Sequence, residues 1–243
     1  MPVLVLTRGD GTSLYPLRDI TYALDNVKKG TNIVVFGEDH KLYSEQINAA
    51  LKILEKRPRK TVFYSFILLQ EEKMSTRKGN VVLLEDFMQE AVKKAKKELE
   101  NRYNKTDEKT AKIIAYGALK YSILKESPEK NVIFSWQQAL NFEGESCPYI
   151  QYAYARISSI LRKHGKKIPN KIDLSLLDKE EETEIIKELD NFTNTINHAT
   201  ENLRPHLITT YTYELAKKFN EYYHKHNILK EKENLKNARL LLI

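Results

Sequence analysis

The 243-residue chain has a single cysteine, Cys147, with only eight glycines and seven prolines. One cysteine excludes an internal disulfide framework and any zinc module built on cysteines. No apolar run approaches the about 20 residues a membrane helix needs. The longest aliphatic run, Leu240-Leu241-Leu242-Ile243, has four residues, so no membrane partner is expected. Met1-Pro2-Val3-Leu4-Val5-Leu6-Thr7-Arg8 lacks the basic region and small-residue cleavage site of a secretory signal. Internal repeats and low-complexity segments are also missing. Together these absences predict a soluble protein of a reducing, cytoplasmic compartment.

What is present suits a folded protein. Hydrophobic residues make up 41% of the chain and charged residues 30%, enough apolar material for a core. Forty Lys and Arg against 33 Asp and Glu leave a net charge of +7. A modest excess of this kind fits solvated helix faces, or the footprint of a polyanion such as nucleic acid.

The pattern changes along the chain. The apolar run Val3 to Leu6, the turn signal Gly9-Asp10-Gly11 and an extended piece ending at Tyr15 predict a hairpin. Pro16 suits a first helical position, opening a helix to about Asn26. The β-branched run Asn32 to Phe36 predicts a buried strand, followed by a helix over 43–56 and a second buried strand, Thr61 to Leu69. Strand, helix and strand in that order imply a parallel βαβ unit, in which ligands bind off the carboxyl ends of the strands. Beyond residue 84 no strand is predicted. Phe87, Ala91, Ala95 and Leu99 recur every four residues on one helix face, and further helices are expected over 107–125, 148–163, 178–203, 210–226 and 232 to the end. Residues 164–175 are the most linker-like stretch. The predicted class is α/β followed by all-α.

Glu71 to Asn80 directly follows a predicted strand. Lys73, Arg77 and Lys78, with Ser75, Thr76 and Gly79, are suited to a polyphosphate: the cations neutralise charge, the hydroxyls donate, and glycine admits close backbone approach. The plainer reading is a basic surface loop. On 148–163, Tyr149, Tyr152, Arg156 and Lys163 fall along one helical face, and Ile150, Tyr154, Ile157 and Leu161 on another, expected to face the core. An aromatic and basic face suits stacking of splayed RNA bases, although tyrosines also simply pack. His224 and His226, which straddle Lys225, do not make a metal site, and none is expected.

Word order adds to this. Lys73-Met74-Ser75-Thr76-Arg77-Lys78-Gly79 resembles the KMSKS-type loop of class I aminoacyl-tRNA synthetases, in the form found in arginyl-tRNA synthetases. Asp10-Gly11-Thr12-Ser13-Leu14-Tyr15-Pro16-Leu17-Arg18-Asp19-Ile20 and Gly37-Glu38-Asp39-His40 resemble two further segments of that family, in its order. Asn141-Phe142-Glu143-Gly144 with Pro148 to Ile157, then Phe219 to His224 and Asn237 to Leu240, resemble its helical anticodon-binding domain.

The resemblance implies the C-terminal half of a Rossmann-type class I catalytic domain over 1–105, with the KMSKS-type loop at 73–79 and a linking helix. A helical-bundle anticodon-binding domain would occupy 106–243. It implies arginine contacts at Tyr15, Asp19 and Asp39, the last a departure from the family's usual glutamine. Lys73, Met74, Ser75 and Lys78 would bind ATP, and Lys73, Ser75, Arg77 and Lys78 would serve catalysis at the phosphates. Tyr149, Tyr152, Arg156, Tyr222 and Tyr223 would contact tRNA. The partners implied are L-arginine, the arginine tRNA and ATP with Mg2+, with no bound prosthetic group. The activity implied is arginine-tRNA ligation through an arginyl-adenylate.

One motif of the class is missing. None of the six histidines is followed by glycine two residues later and histidine three later, and the apolar last helix has neither a glycine cap nor, on this reading, a basic last turn. Truncation at both ends is therefore expected, with no aminoacylation by the chain alone. Three readings stay open: a C-terminal synthetase portion, either cut from a longer protein or working with a separately encoded N-terminal half, a free-standing tRNA-binding module that has lost catalysis, or a helical interaction protein with relic motifs.

Overall fold

A computed structural model describes residues 3–70, 83–104 and 107–243. Lys73, Met74, Ser75, Arg77 and Lys78 lie outside the described residues. The chain forms two compact units, one of residues 1–66 with 128–131, the other of 67–127 with 132–243.

The first unit begins with a tight turn. The Asp10 carboxylate accepts from the Thr12 backbone N–H at 2.9 Å, and Gly11 takes a positive φ of 83° that a side chain would resist. One antiparallel bridge, Thr7 to Ser13, closes it, so the expected hairpin is present in short form. Helix α1 (Tyr15–Val27) follows with Pro16 in its first turn. Strand β1 (Ile33–Gly37), helix α2 (Lys41–Ile53) and strand β2 (Lys60–Tyr64) complete the βαβ unit, and β1 pairs parallel with β2, Ile33 opposite Lys60 through Gly37 opposite Tyr64. Its core is small: Ile20 and Ala23 of α1 against Ile47 and Leu51 of α2, with Leu4, Leu24, Tyr43 and Ala50 packed around them.

Two strand expectations change. The strands are half-buried rather than buried, because in β1 alternate residues face opposite sides, and Ile33 and Val35 lie 47% and 62% exposed. The expected single strand 61–69 ends at Tyr64. Ser65 and Phe66 donate their backbone N–H groups to the Pro128 carbonyl (2.9 Å) and the Asn131 side chain (3.2 Å), not to β1. The Ser65 hydroxyl also donates to Asn131 at 2.6 Å. With its backbone groups taken by this corner, the chain leaves the β1–β2 ladder.

The second unit begins with β3 (Ile67–Leu69), which pairs parallel with β4 (Val132–Phe134), a strand the sequence reading did not predict. Helix α3 (Leu84–Tyr103) lays Ala91, Ala95 and Leu99 on α4 (Glu108–Leu124), where Ala111, Ala115 and Ala118 meet them. Small residues on both faces permit close helix packing. Phe87, Phe134 and Trp136, the last on the short α5 (Trp136–Ala139), fill the end of this core with ring centroids 4.8–4.9 Å apart.

A second core joins the later helices: Ala153 and Ile160 of α6 (Cys147–His164), Ile185 of α7 (Glu180–Asp190), Ala216, Phe219 and Tyr222 of α9 (His206–Lys225), and Leu240 of α10 (Glu233–Leu242). Helix α6 starts at Ser146, whose hydroxyl accepts from the Tyr149 N–H, and stops at Gly165 with φ 64°. The expected helix 178–203 is two helices, α7 and α8 (Phe192–Asn202), broken at Asn191. This residue type competes with the helical backbone for hydrogen bonds. The α6 face expected to enter the core is only partly right, since Ile150 and Ile157 pack inward while Tyr154 is 72% exposed. The last helix also differs from expectation. Arg239 stands in its last turn, Leu240 is buried, and Leu242 and Ile243 pack on the core rather than fraying.

Candidate functional site

Two groups of side chains stand out, one in each unit. In the first unit, Tyr15 and Asp19 lie one turn apart at the start of α1, and Tyr43 at the start of α2 joins them. Its ring is 5.7 Å from that of Tyr15, and its hydroxyl donates to Asp19 Oδ2 at 2.9 Å. Burial first, and then this bond to a carboxylate, push the Tyr43 hydroxyl well above the usual tyrosine range, so it stays a donor. Asp39, just past β1, is exposed. Its carboxylate lies 3.6 Å from His40, whose ring is 6.3 Å from Tyr43. The structure therefore brings Tyr15 and Asp19 together directly around Tyr43, and Asp39 only through His40.

Asp19 also has a partner 40 residues away. Arg59 Nη1 donates to Asp19 Oδ1 at 2.9 Å and to Oδ2 at 3.0 Å, and the Arg59 side chain is 1% exposed. Sequence reading found neither Arg59 nor Tyr43. The only available signal for Tyr43 was its place one turn after Asp39 on the next helix, and nothing local marked Arg59.

In the second unit, α6 and α9 flank a groove of about 660 Å³, lined among others by Tyr152, Arg156, Lys163, Tyr223, Lys225 and His226. The Arg156 guanidinium is stacked between two rings, 4.7 Å from the Tyr152 centroid and 4.5 Å from that of Tyr223, and it donates to Asn220 at 2.6 Å. This fixes a flat cation between two aromatic plates. On the rim, Glu181 accepts from Lys225 at 2.6 Å and lies 3.1 Å from His226. The Lys225 hydrogen bond, more than any other contact, holds the Glu181 carboxyl down at about 2.

Two of the five expected RNA contacts move. Tyr149 lies against Tyr213, ring centroids 5.5 Å apart, beside the core rather than in the groove lining. Tyr222 is fully buried and donates to Glu182 at 3.2 Å, so it cannot stack on a base: it is a core residue. The same Glu182 oxygen accepts from Arg239 Nε at 2.7 Å, forming a buried ion pair that sequence reading missed.

Residues 1–136 match the family "tRNA synthetases class I (R), catalytic domain", and residues 150–243 match the "DALR anticodon binding domain". The chain belongs to the arginyl-tRNA synthetase family. It is 42% identical over 244 residues to an arginine–tRNA ligase of Methanocaldococcus jannaschii, covering 99% of this chain and 43% of that protein. With a Clostridium botulinum arginine–tRNA ligase it shares 37% identity over 260 residues, covering 100% of this chain and 45% of the relative. The solved arginyl-tRNA synthetase of Thermus thermophilus superposes with a TM-score of 0.84 at 27% identity, over 100% of this chain and 48% of that one. The chain thus spans less than half the length of each of these synthetases. The expected fold class holds: a partial class I catalytic domain followed by a helical DALR domain.

Proposed function

We propose that this chain takes part in joining L-arginine to its tRNA, its α/β unit supplying part of the arginine pocket and its helical unit gripping the tRNA. What supports the reading is a conjunction within one chain: an acidic, aromatic cradle at Tyr15, Asp19 and Tyr43, and a groove in which Arg156 is plated by Tyr152 and Tyr223. A carboxylate suits the guanidinium of arginine. Exposed rings beside Lys163 and Lys225 suit splayed bases and their phosphates. Of the expected contacts, Tyr152, Arg156 and Tyr223 carry the RNA-binding role.

In this reading Lys73, Ser75, Arg77 and Lys78 offset the charge that builds on pyrophosphate as the arginine carboxylate attacks the α-phosphorus of ATP. In this reading Mg2+ is carried by the ATP phosphates. The sequence has no His-x-Gly-His segment, so in this reading the adenine side of the site is supplied by a part of the synthetase that these 243 residues do not include.

The test is arginylation of total tRNA by the purified chain with L-arginine and Mg-ATP, alone and with a recombinant N-terminal half. No charging alone and charging with the added half are expected. Charging by the chain alone would overturn the need for that half. Failure in both, together with tRNA affinity that falls steeply with salt, would instead establish a non-catalytic tRNA-binding module.

A further inference from the structure

We propose that Arg59 is an internal competitor for the Asp19 carboxylate, and that it sets how tightly and how selectively the α/β unit binds a guanidinium ligand. The inference rests on the reading of Asp19 as part of an arginine pocket and assigns a specificity-determining residue within it.

Arg59 is held at its backbone. Asn48 of α2 accepts from its N–H at 3.0 Å and donates to its carbonyl at 3.2 Å. From that clamp the side chain runs beneath Phe36, its guanidinium carbon 5.7 Å from the ring centroid, and ends at Asp19. An ionised carboxylate offers about four lone-pair sites. Nη1 uses one on each oxygen, and the Tyr43 hydroxyl takes the second on Oδ2. One site on Oδ1 remains. A ligand guanidinium that pairs through both arms of its fork needs two, so with Arg59 in place it makes one hydrogen bond and meets an ion pair with no net charge.

The pair is unfinished on the arginine side as well. Among the described residues, Nε and Nη2 of Arg59 are buried with no hydrogen-bond partner. A guanidinium placed only to tie α1 to β2 would be expected to satisfy these donors, because a buried donor without a partner is costly. The Nη1 of Arg59 instead lies across both oxygens of Asp19. Its position there blocks the fork and neutralises the charge a ligand would seek.

The experiment is an NMR titration at pH 8 with L-arginine, and with L-citrulline as its uncharged isostere, using wild type, Arg59→Met, Tyr43→Phe and Asp19→Asn. Folding of each is confirmed by circular dichroism. Arg59→Met is expected to bind arginine about tenfold more tightly, the worth of one charge-assisted hydrogen bond, with the arginine-over-citrulline ratio rising in step. Tyr43→Phe keeps the ion pair, frees one lone pair on Oδ2 and is expected to gain about threefold. Arg59→Gln, which removes the charge at similar length, is read in the same way should Arg59→Met fail to fold. If Asp19→Asn weakens arginine binding while neither of the other variants tightens it, the competition is overturned and the pocket reading survives. If Asp19→Asn leaves arginine affinity unchanged, or nothing binds arginine, the pocket reading fails and the inference fails with it.

Discussion

Each compact unit buries an arginine against carboxylate, one carboxylate in the α/β unit and two in the helical unit, and the two pairings are built on different terms. In the helical unit, Arg239 donates from Nε to Glu182 and from Nη1 to Glu231, and lies over the Tyr222 ring. Glu182 also accepts from Tyr222 and, at 3.2 Å, from the Lys179 backbone N–H. Both Nε and Nη1 of Arg239 thus have carboxylate acceptors of their own. Arg59 in the α/β unit bonds through one nitrogen and leaves two buried donors without acceptors. A satisfied network binds helices together and has nothing left to offer a ligand. An unsatisfied one, on the carboxylate of a proposed pocket, has a second use for its charge.

The comparison predicts unequal costs. Arg239→Met strands Glu182 in the core and is expected to cost about 3–5 kcal/mol, and Tyr222→Ala a similar amount through the cavity it leaves. Both would be read from urea denaturation midpoints. Arg59→Met removes two orphaned donors along with the pair, so the net loss is expected to be about 1–2 kcal/mol. Equal costs at Arg59 and Arg239 would break the distinction.

A third arginine sharpens it. Arg156 is half-buried between rings that are themselves exposed, so Tyr152→Ala is expected to weaken tRNA binding about tenfold while leaving the denaturation midpoint in place. A variant that unfolds the protein instead would put Tyr152 with Tyr222. Ser146→Ala, which deprives α6 of its N-terminal cap, is expected to cost about 1 kcal/mol without altering the groove. The smallest effect is set by pH. Glu181 is depressed to about 2 in the folded protein from an ordinary 4.5. Its pairing with Lys225 therefore supports folding fully above pH 4.5, and that support fades as pH falls from 4.5 toward 2. An acid titration of Glu181→Gln would lack this component.

How far the sequence carried can be argued from the same residues. Pro16 and the run Asn32 to Phe36 announce α1 and β1 through local signals, and the KMSKS-type word and its companions pointed to the family the comparisons established. Strand β4 was hidden because three residues, Val132 to Phe134, are too few for a period, and they become a strand only by pairing with β3. Tyr222 and Tyr223 are adjacent and chemically alike, yet one is core and the other groove. The stripe Tyr211, Leu215, Phe219 and Tyr222 carried that signal at helical spacing. Arg59 and Asp19 stand 40 positions apart with no common pattern, so only the fold could introduce them.

The corner at Ser65 has a consequence for synthesis. The first unit takes residues 1–66 and then a short return at 128–131, which supplies the Pro128 carbonyl and the Asn131 side chain that receive the end of the β2 segment. Roughly 60 residues separate the two pieces. At about 5–20 residues per second, the emerging α/β unit waits about 3–12 s for its last four residues. In that interval Ser65 and Phe66 lack Pro128 and Asn131, and the residues of α3 and α4 are synthesised before the last four residues of this unit.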